Sequence, residues 1–336
     1  MNARTGLGPL LVAGAFALLG ACGHSPTSPS RTPAQPVTST TTGRAVNVLT
    51  GDALAAVGLR LEDGTTATSG ADGAFRITAA TSGTHAVTLT SPDTVERQTS
   101  IRVPGPEASL SLVPASFDLA TYDEMCRAGG SLRRWSAAPS LAIVDAVVRF
   151  TSLSDMAYAA LDARLTAQER ESIAADLGSA LPQVTGGSFG GFAAVRTESV
   201  APGSQVSVSA PEGTILVVRV DGLTKGTGYW GYGRWASRAS TVVAGTVMLD
   251  ASFDTSSSQW VRSLRVHEMG HALGYDHVWR RLSFMNNSAT QDPNAFDRDA
   301  TRLAFQRPPG NQAPDKDPSG YSANAAARLV WGPFTP

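Results

Sequence analysis

Three histidines and a glutamate fall in one short run, His267-Glu268-Met269-Gly270-His271-Ala272-Leu273-Gly274-Tyr275-Asp276-His277. Imidazole nitrogens are common ligands of zinc. A four-residue spacing places His267 and His271 one helical turn apart on the same face, where both can reach one tetrahedral ion at about 2.0–2.1 Å. His277 needs another path, because unbroken helix would carry it roughly 15 Å along the axis from His267. The helix therefore has to stop near Gly274, which can enter the left-handed region and bring the chain back under the ion. Glu268 is not a ligand in this arrangement and points beside the metal.

Three neutral imidazoles leave a single catalytic Zn2+ with its charge intact and one position open for water, whose pKa falls towards ~7 there. Glu268 is then placed to accept the water proton as a general base and hand it to a leaving group. Five fixed letters make this pattern far more specific than His-Glu-x-x-His alone. The sequence holds five histidines. The other two, His24 in a polar stretch and His85 in an alternating one, have no such neighbours and are expected to be chemically idle.

The run, together with Ser283-Phe284-Met285-Asn286 beyond it, resembles the metzincin clan of zinc endopeptidases, with a matrixin-like site. The resemblance implies that Met285 forms a hydrophobic base beneath the histidines and that Gly274 supports the site. It further implies zinc ligation by His267, His271 and His277, with Glu268 as catalytic base, and hydrolysis of peptide bonds in extracellular or periplasmic proteins. By the same resemblance, residues 245–250 would be the edge strand to which an extended substrate adds, and residues 297–305 a short C-terminal helix. Val278, after the third histidine, matches no subfamily habit, and Asn287 stands where a tyrosine switch would require tyrosine. Residues 226–235 read as a Gly- and Tyr-rich loop that lacks the carboxylate cluster a calcium ion would need. Two other readings use the same residues: a non-catalytic surface-binding lipoprotein with a structural zinc site, and a zinc amidase acting on cell wall. Glu268 separates the first from an enzyme, since a closed structural site has four protein ligands and no use for a base.

The elements around this run fall into blocks. Arg4 precedes an apolar stretch from Leu10 to Leu19 that is too short to span a bilayer. Leu19-Gly20-Ala21-Cys22 resembles a bacterial lipobox, which implies a leader over residues 1–22 and a lipid on Cys22 as the membrane anchor. Gly23 in place of aspartate favours the outer membrane or cell surface over the inner membrane of the cell envelope. Residues 23–43 are rich in Ser, Thr and Pro and read as a flexible tether. Cys126 has no partner for a disulfide and reads as a buried thiol rather than a latency switch.

Residues 44–114 alternate apolar and polar positions between Asp-Gly and Ser-Gly turns, predicting a small antiparallel sandwich. That stretch resembles the carboxypeptidase regulatory-like, transthyretin-like fold, and a spacer role is expected for it. Residues 115–310 change to mixed α/β character, with strands predicted at 141–150 and 215–220 and two helices within 155–181, where Thr166 and Glu169 form a capping box. Residues 311–336 read as a tail. The fold class expected is therefore multidomain, a small all-β sandwich followed by an α+β peptidase domain of the metzincin (zincin-like) kind. A net charge of −1 offers no field for nucleic acid. A polypeptide substrate, membrane contact through lipid alone and a monomeric chain are expected.

Overall fold

Alternation and turn chemistry divide the first part of the chain into short strands. The computed structural model describes residues 38–255, 258–288, 291–319 and 327–336. Seven strands come first: β1 Ser39–Asn47, β2 Gly58–Leu61, β3 Thr66–Thr68, β4 Ala74–Ala79, β5 Gly83–Thr90, β6 Arg97–Val103 and β7 Ala108–Leu112. They form two sheets, β4-β1-β7 and β3-β2-β5-β6, whose inward residues Ala45, Leu59, Phe75, Ile77, Leu89 and Leu112 make one buried cluster. Two details differ from the sequence reading. The first strand begins at Ser39, inside the stretch read as tether, because β-branched Thr40 to Thr42 pair with β4 and Thr41 is buried, donating to the carbonyl of Arg102. The sandwich is also not wholly antiparallel, since β1 and β7 run parallel.

The second part contains α1 Leu119–Cys126, β8 Arg134–Trp135, β9 Ser140–Arg149, β10 Ala157–Arg164, α2 Ala167–Ala180, β11 Val195–Glu198, β12 Gln205–Ser207 and β13 Thr214–Asp221. It continues through α3 Leu223–Thr227, β14 Gly231–Arg238, β15 Thr241–Asp250, α4 Ser258–Leu273, α5 Ala295–Phe305 and β16 Leu329–Trp331. The strands join in the order β12-β10-β9-β13-β15-β14-β16, with β11 added on β9 and β8 on β15. The near-continuous apolar run of β13 is buried on both faces, as expected of a strand with parallel neighbours. The described chain is mostly β-sheet and multidomain-like in its organisation.

Three predicted elements are corrected. The first of the two helices expected within 155–181 is strand β10, while α2 keeps the Thr166–Glu169 capping box. Alanine-rich sequence favours helix locally, but pairing with β9 and β12 buries Tyr158 and Ala160, and tertiary context overrides propensity. Residues 226–235 are not one loop, because β14 starts at Gly231. Residues 245–250 are not an edge, because β15 lies between β13 and β14.

The described residues of the stretch read as a tail, 311–319 and 327–336, are built into the fold. Arg307 forms a two-pronged pair with Asp315 at 2.7 Å on each arm and also donates to Ser111 of β7. Arg97 of β6 pairs with Asp317 at 2.8 Å. Val48 and Val113 of the sandwich part belong to the main core cluster of the second part. The sandwich is thus keyed to its neighbour by apolar packing, by the Arg97–Asp317 ion pair and by the hydrogen bonds from Arg307 to Ser111.

Candidate metal centre

The metal run lies on the C-terminal half of α4, a helix that presses closely on the sheet. Glycine makes that approach possible: a Cβ on Gly233 would stand 2.3 Å from the carbonyl oxygen of Glu268 and 2.6 Å from His271 Cβ, and one on Gly245 would meet Ala272 Cβ at 2.8 Å. On the helix's other side, a Cβ on Gly270 would meet Met285 Sδ at 2.3 Å. Helix α4 ends at Leu273. Gly274 takes φ +107°, and the amides of Gly274 and Tyr275 return to the carbonyls of His271 and Gly270. This closes the helix with a left-handed residue and turns the chain toward His277.

The structure brings His267, His271 and His277 together, with one ligand atom from each within 4.8 Å of the others. Nε2 of His267 lies 3.1 Å from Nε2 of His271 and 3.3 Å from Nε2 of His277. A tetrahedral zinc with arms of about 2.0–2.1 Å has edges of about 3.3–3.4 Å between its ligands. Tautomers point the same way. Nδ1 of His267 donates to the carbonyl of Phe284 at 2.9 Å and Nδ1 of His271 to the carbonyl of Tyr275 at 2.8 Å. A carbonyl only accepts, so both protons sit on Nδ1 and both Nε2 lone pairs face each other. That approach is repulsive between bare lone pairs and favourable around a cation. Burial lowers the pKa of all three rings, that of His267 to about 4 and that of His271 well below its usual value, which keeps them neutral and able to act as ligands. The donor set therefore fits one zinc ion.

Glu268 lies outside this ligand set. Its side chain packs against Gly231 of β14, where a Cβ would stand 2.5 Å from Oε1. Oε2 is buried without a hydrogen-bond partner among the described residues, and burial pushes the carboxyl well above its usual range. A polar atom of that kind is suited to receive a proton.

The shell behind the ligands includes residues the sequence reading missed. Asp297, the N3 residue of the α5 capping box, accepts from the hydroxyl of Ser283 at 2.6 Å and the amide of Phe284 at 3.0 Å. It thereby fixes the carbonyl that orients His267. Tyr275 is anchored through its hydroxyl to the carbonyl of Val184 at 2.7 Å, fixing the carbonyl that orients His271. Met285 is fully buried, and its carbonyl accepts from the amide of Val278 next to the third ligand. An Asn-x-x-Asp capping box after the methionine was readable, but its second role as a clamp was not. Cys126 is buried in the core, and burial raises its thiol pKa. His85 is held by Glu62 and the carbonyl of Thr81. Cys22 and His24 lie outside the described residues.

The outer side of β14 is covered by the chain itself, through β16 and the residues after it. Leu329 to Trp331 pair with Arg238 to Ala236, Gly332 donates to the carbonyl of Trp235, and Thr335 exchanges two 2.9 Å backbone bonds with Gly233. Pro336 follows, with its backbone close to all three histidine rings.

Comparison with known proteins corrects the family reading. No family model matches the chain, and no curated protein matches it. A crystal structure of a DUF3823 family protein from Bacteroides ovatus is similar at 14% identity over 28% of this chain, with a TM-score of 0.20. That match spans about half of the other protein, 52% of its length. No metzincin or other peptidase family is indicated, and neither is a carboxypeptidase regulatory-like one. Both resemblances are withdrawn, and the site stands on its own geometry. No described helix is long and apolar enough to cross a membrane.

Proposed function

We propose that this chain is a zinc-dependent endopeptidase acting on extended polypeptides at a bacterial cell envelope, with one zinc ion held by His267, His271 and His277. The observation that supports it most is the convergence of three Nε2 atoms beside a buried carboxylate with an unpartnered oxygen. When bound, zinc supplies Lewis acidity toward a carbonyl and makes water acidic enough to attack near neutral pH.

The protein's own groups do the rest. Glu268 takes the proton of the attacking water and delivers it to the departing amine, so one carboxylate serves both halves of the reaction. Gly231 leaves that carboxylate room against the strand. The outer amide and carbonyl of Gly233 already form a two-bond antiparallel pair with the backbone of Thr335, which is the chemistry of peptide recognition by strand addition. An extended main chain held there lies over the helix turn that carries Glu268 and His271. Exposed Trp279, whose ring meets that of His277 edge-on at 5.6 Å, offers an apolar contact next to the ligands. The envelope location rests on the lipobox resemblance at Leu19 to Cys22.

The test is hydrolysis of unfolded casein by the full chain and by a chain ending at Gly332, each with and without Glu268→Gln, alongside zinc content. One zinc per chain in all four proteins, with cleavage lost in the Gln variants, is expected. Cleavage that survives Glu268→Gln would remove the mechanism.

A further inference from the structure

The last residues of the sequence take a path that core packing does not explain. From Leu329 to Trp331 the segment is an ordinary added strand on β14. Beyond Gly332 the register shifts by one residue, so that Thr335 faces Gly233. Gly233 is the position whose missing side chain lets β14 sit on the backbone of Glu268 and on His271. In the same antiparallel sense Pro336 continues toward Gly231, against which the Glu268 carboxylate packs. The segment therefore lies antiparallel on the edge and ends over the metal ligands. It is fastened there by Trp331 and Phe334, whose rings lie 4.4 and 4.0 Å from the Arg234 guanidinium on the next residue of β14. Residues 332–336 occupy the place that an extended substrate needs under the proposed peptidase reading, on which this inference rests.

We propose that residues 332–336 are an intramolecular occupant of the β14 edge, an autoinhibitory segment that must leave before another polypeptide can lie over the three histidines. The segment holds by the same main-chain bonds that a substrate would use, so occupant and substrate exclude each other. Its grip is modest by construction: Pro333 and Pro336 have no amide proton to donate, and past Gly332 the ladder has only the Thr335–Gly233 pair. Such a segment can be displaced by a longer peptide that pairs continuously.

The test compares the full chain, a chain ending at Gly332, and Thr335→Pro, which deletes one edge bond and leaves Phe334 and Trp331 in place. Three quantities are read: exchange of the Gly233 amide, binding of a fluorescein-labelled peptide of sequence Leu-Val-Trp-Gly-Pro-Phe-Thr-Pro, and hydrolysis of casein. The expected result is at least tenfold faster Gly233 exchange and at least tenfold tighter peptide binding in both altered chains, with a matching rise in hydrolysis. Faster exchange and tighter binding without hydrolysis in any chain would support the occupant and sink the peptidase reading. Equal hydrolysis by all three chains, with unchanged exchange and no gain in binding, would overturn the occupant and leave the peptidase reading standing.

Discussion

Nδ1 of His267 donates to the carbonyl oxygen of Phe284 at 2.9 Å, and the amide of that same Phe284 is held by Asp297 at 3.0 Å. A candidate ligand on α4 is thus oriented by the cap of α5 through one residue, whose amide and carbonyl lie on either side of a single Cα. Such outer partners fix ring orientation and ligand basicity. Asp297→Ala should lower zinc affinity about 10–100-fold while His267, His271 and His277 stay intact. Competition with a chromophoric chelator measures this, and an unchanged affinity would mean that the clamp is ornamental.

The closeness of α4 to the sheet gives a second expectation. At Gly233 an added Cβ meets backbone, the Glu268 carbonyl at 2.3 Å, so the helix must shift. Gly233→Ala should cost about 1–3 kcal/mol by overpacking. Gly64→Ala is the informative comparison, because Gly64 has open space around it and only its φ of +87° to strain. Urea midpoints of the two variants separate contact from backbone conformation.

Arg307 and Asp315, joined at 2.7 Å with side chains 0% and 2% exposed, lock the segment after α5 against the sandwich. Removing one member strands a buried charge, and Asp315→Ala should cost about 3–5 kcal/mol. Chemical unfolding followed by tryptophan fluorescence should show the loss. A change within 0.5 kcal/mol would show that water reaches Arg307.

Much of the site was legible in the sequence, and much of its surroundings was not. Ligand spacing and the Gly274 break are local geometry, so the eleven-residue run could be read directly. Strand β10 was misread because Ala157 to Ala160 carry a helical preference that only pairing with β9 and β12 reverses. The edge was assigned to residues 245–250 for a similar reason: strand order is set by distant partners. Gly231 and Gly233 looked like loop residues, whereas they thin the strand on which Glu268 and His271 rest. Residues 329–336 looked like a tail because their partners are almost a hundred residues earlier. The family assignment drawn from the motif is not supported by any family model or curated protein.

Burial of the histidines predicts a pH dependence. The His267 pKa falls from 6.5 to about 4 in the folded chain, chiefly through burial. Below pH 6.5 the unfolded chain gains a proton that the folded chain refuses, so this stability is present above 6.5 and lost as pH falls through about 4. His271 is shifted in the same direction, again chiefly through burial, and adds to the effect. Thermal melts of the chelated protein should therefore decline between pH 6.5 and 4. A melting temperature flat across that window would mean that the rings are open to water.

His267, His271 and His277 are proposed to hold a zinc ion that works with Glu268. The most direct measurement is the rate of casein hydrolysis by the chain ending at Gly332, compared between wild type and Glu268→Gln at matched zinc occupancy. A fall of about 10²–10⁴-fold with one zinc retained in each is the predicted result. Equal rates would contradict the role of Glu268, and absence of zinc from the wild type under metal-replete conditions would contradict the site itself.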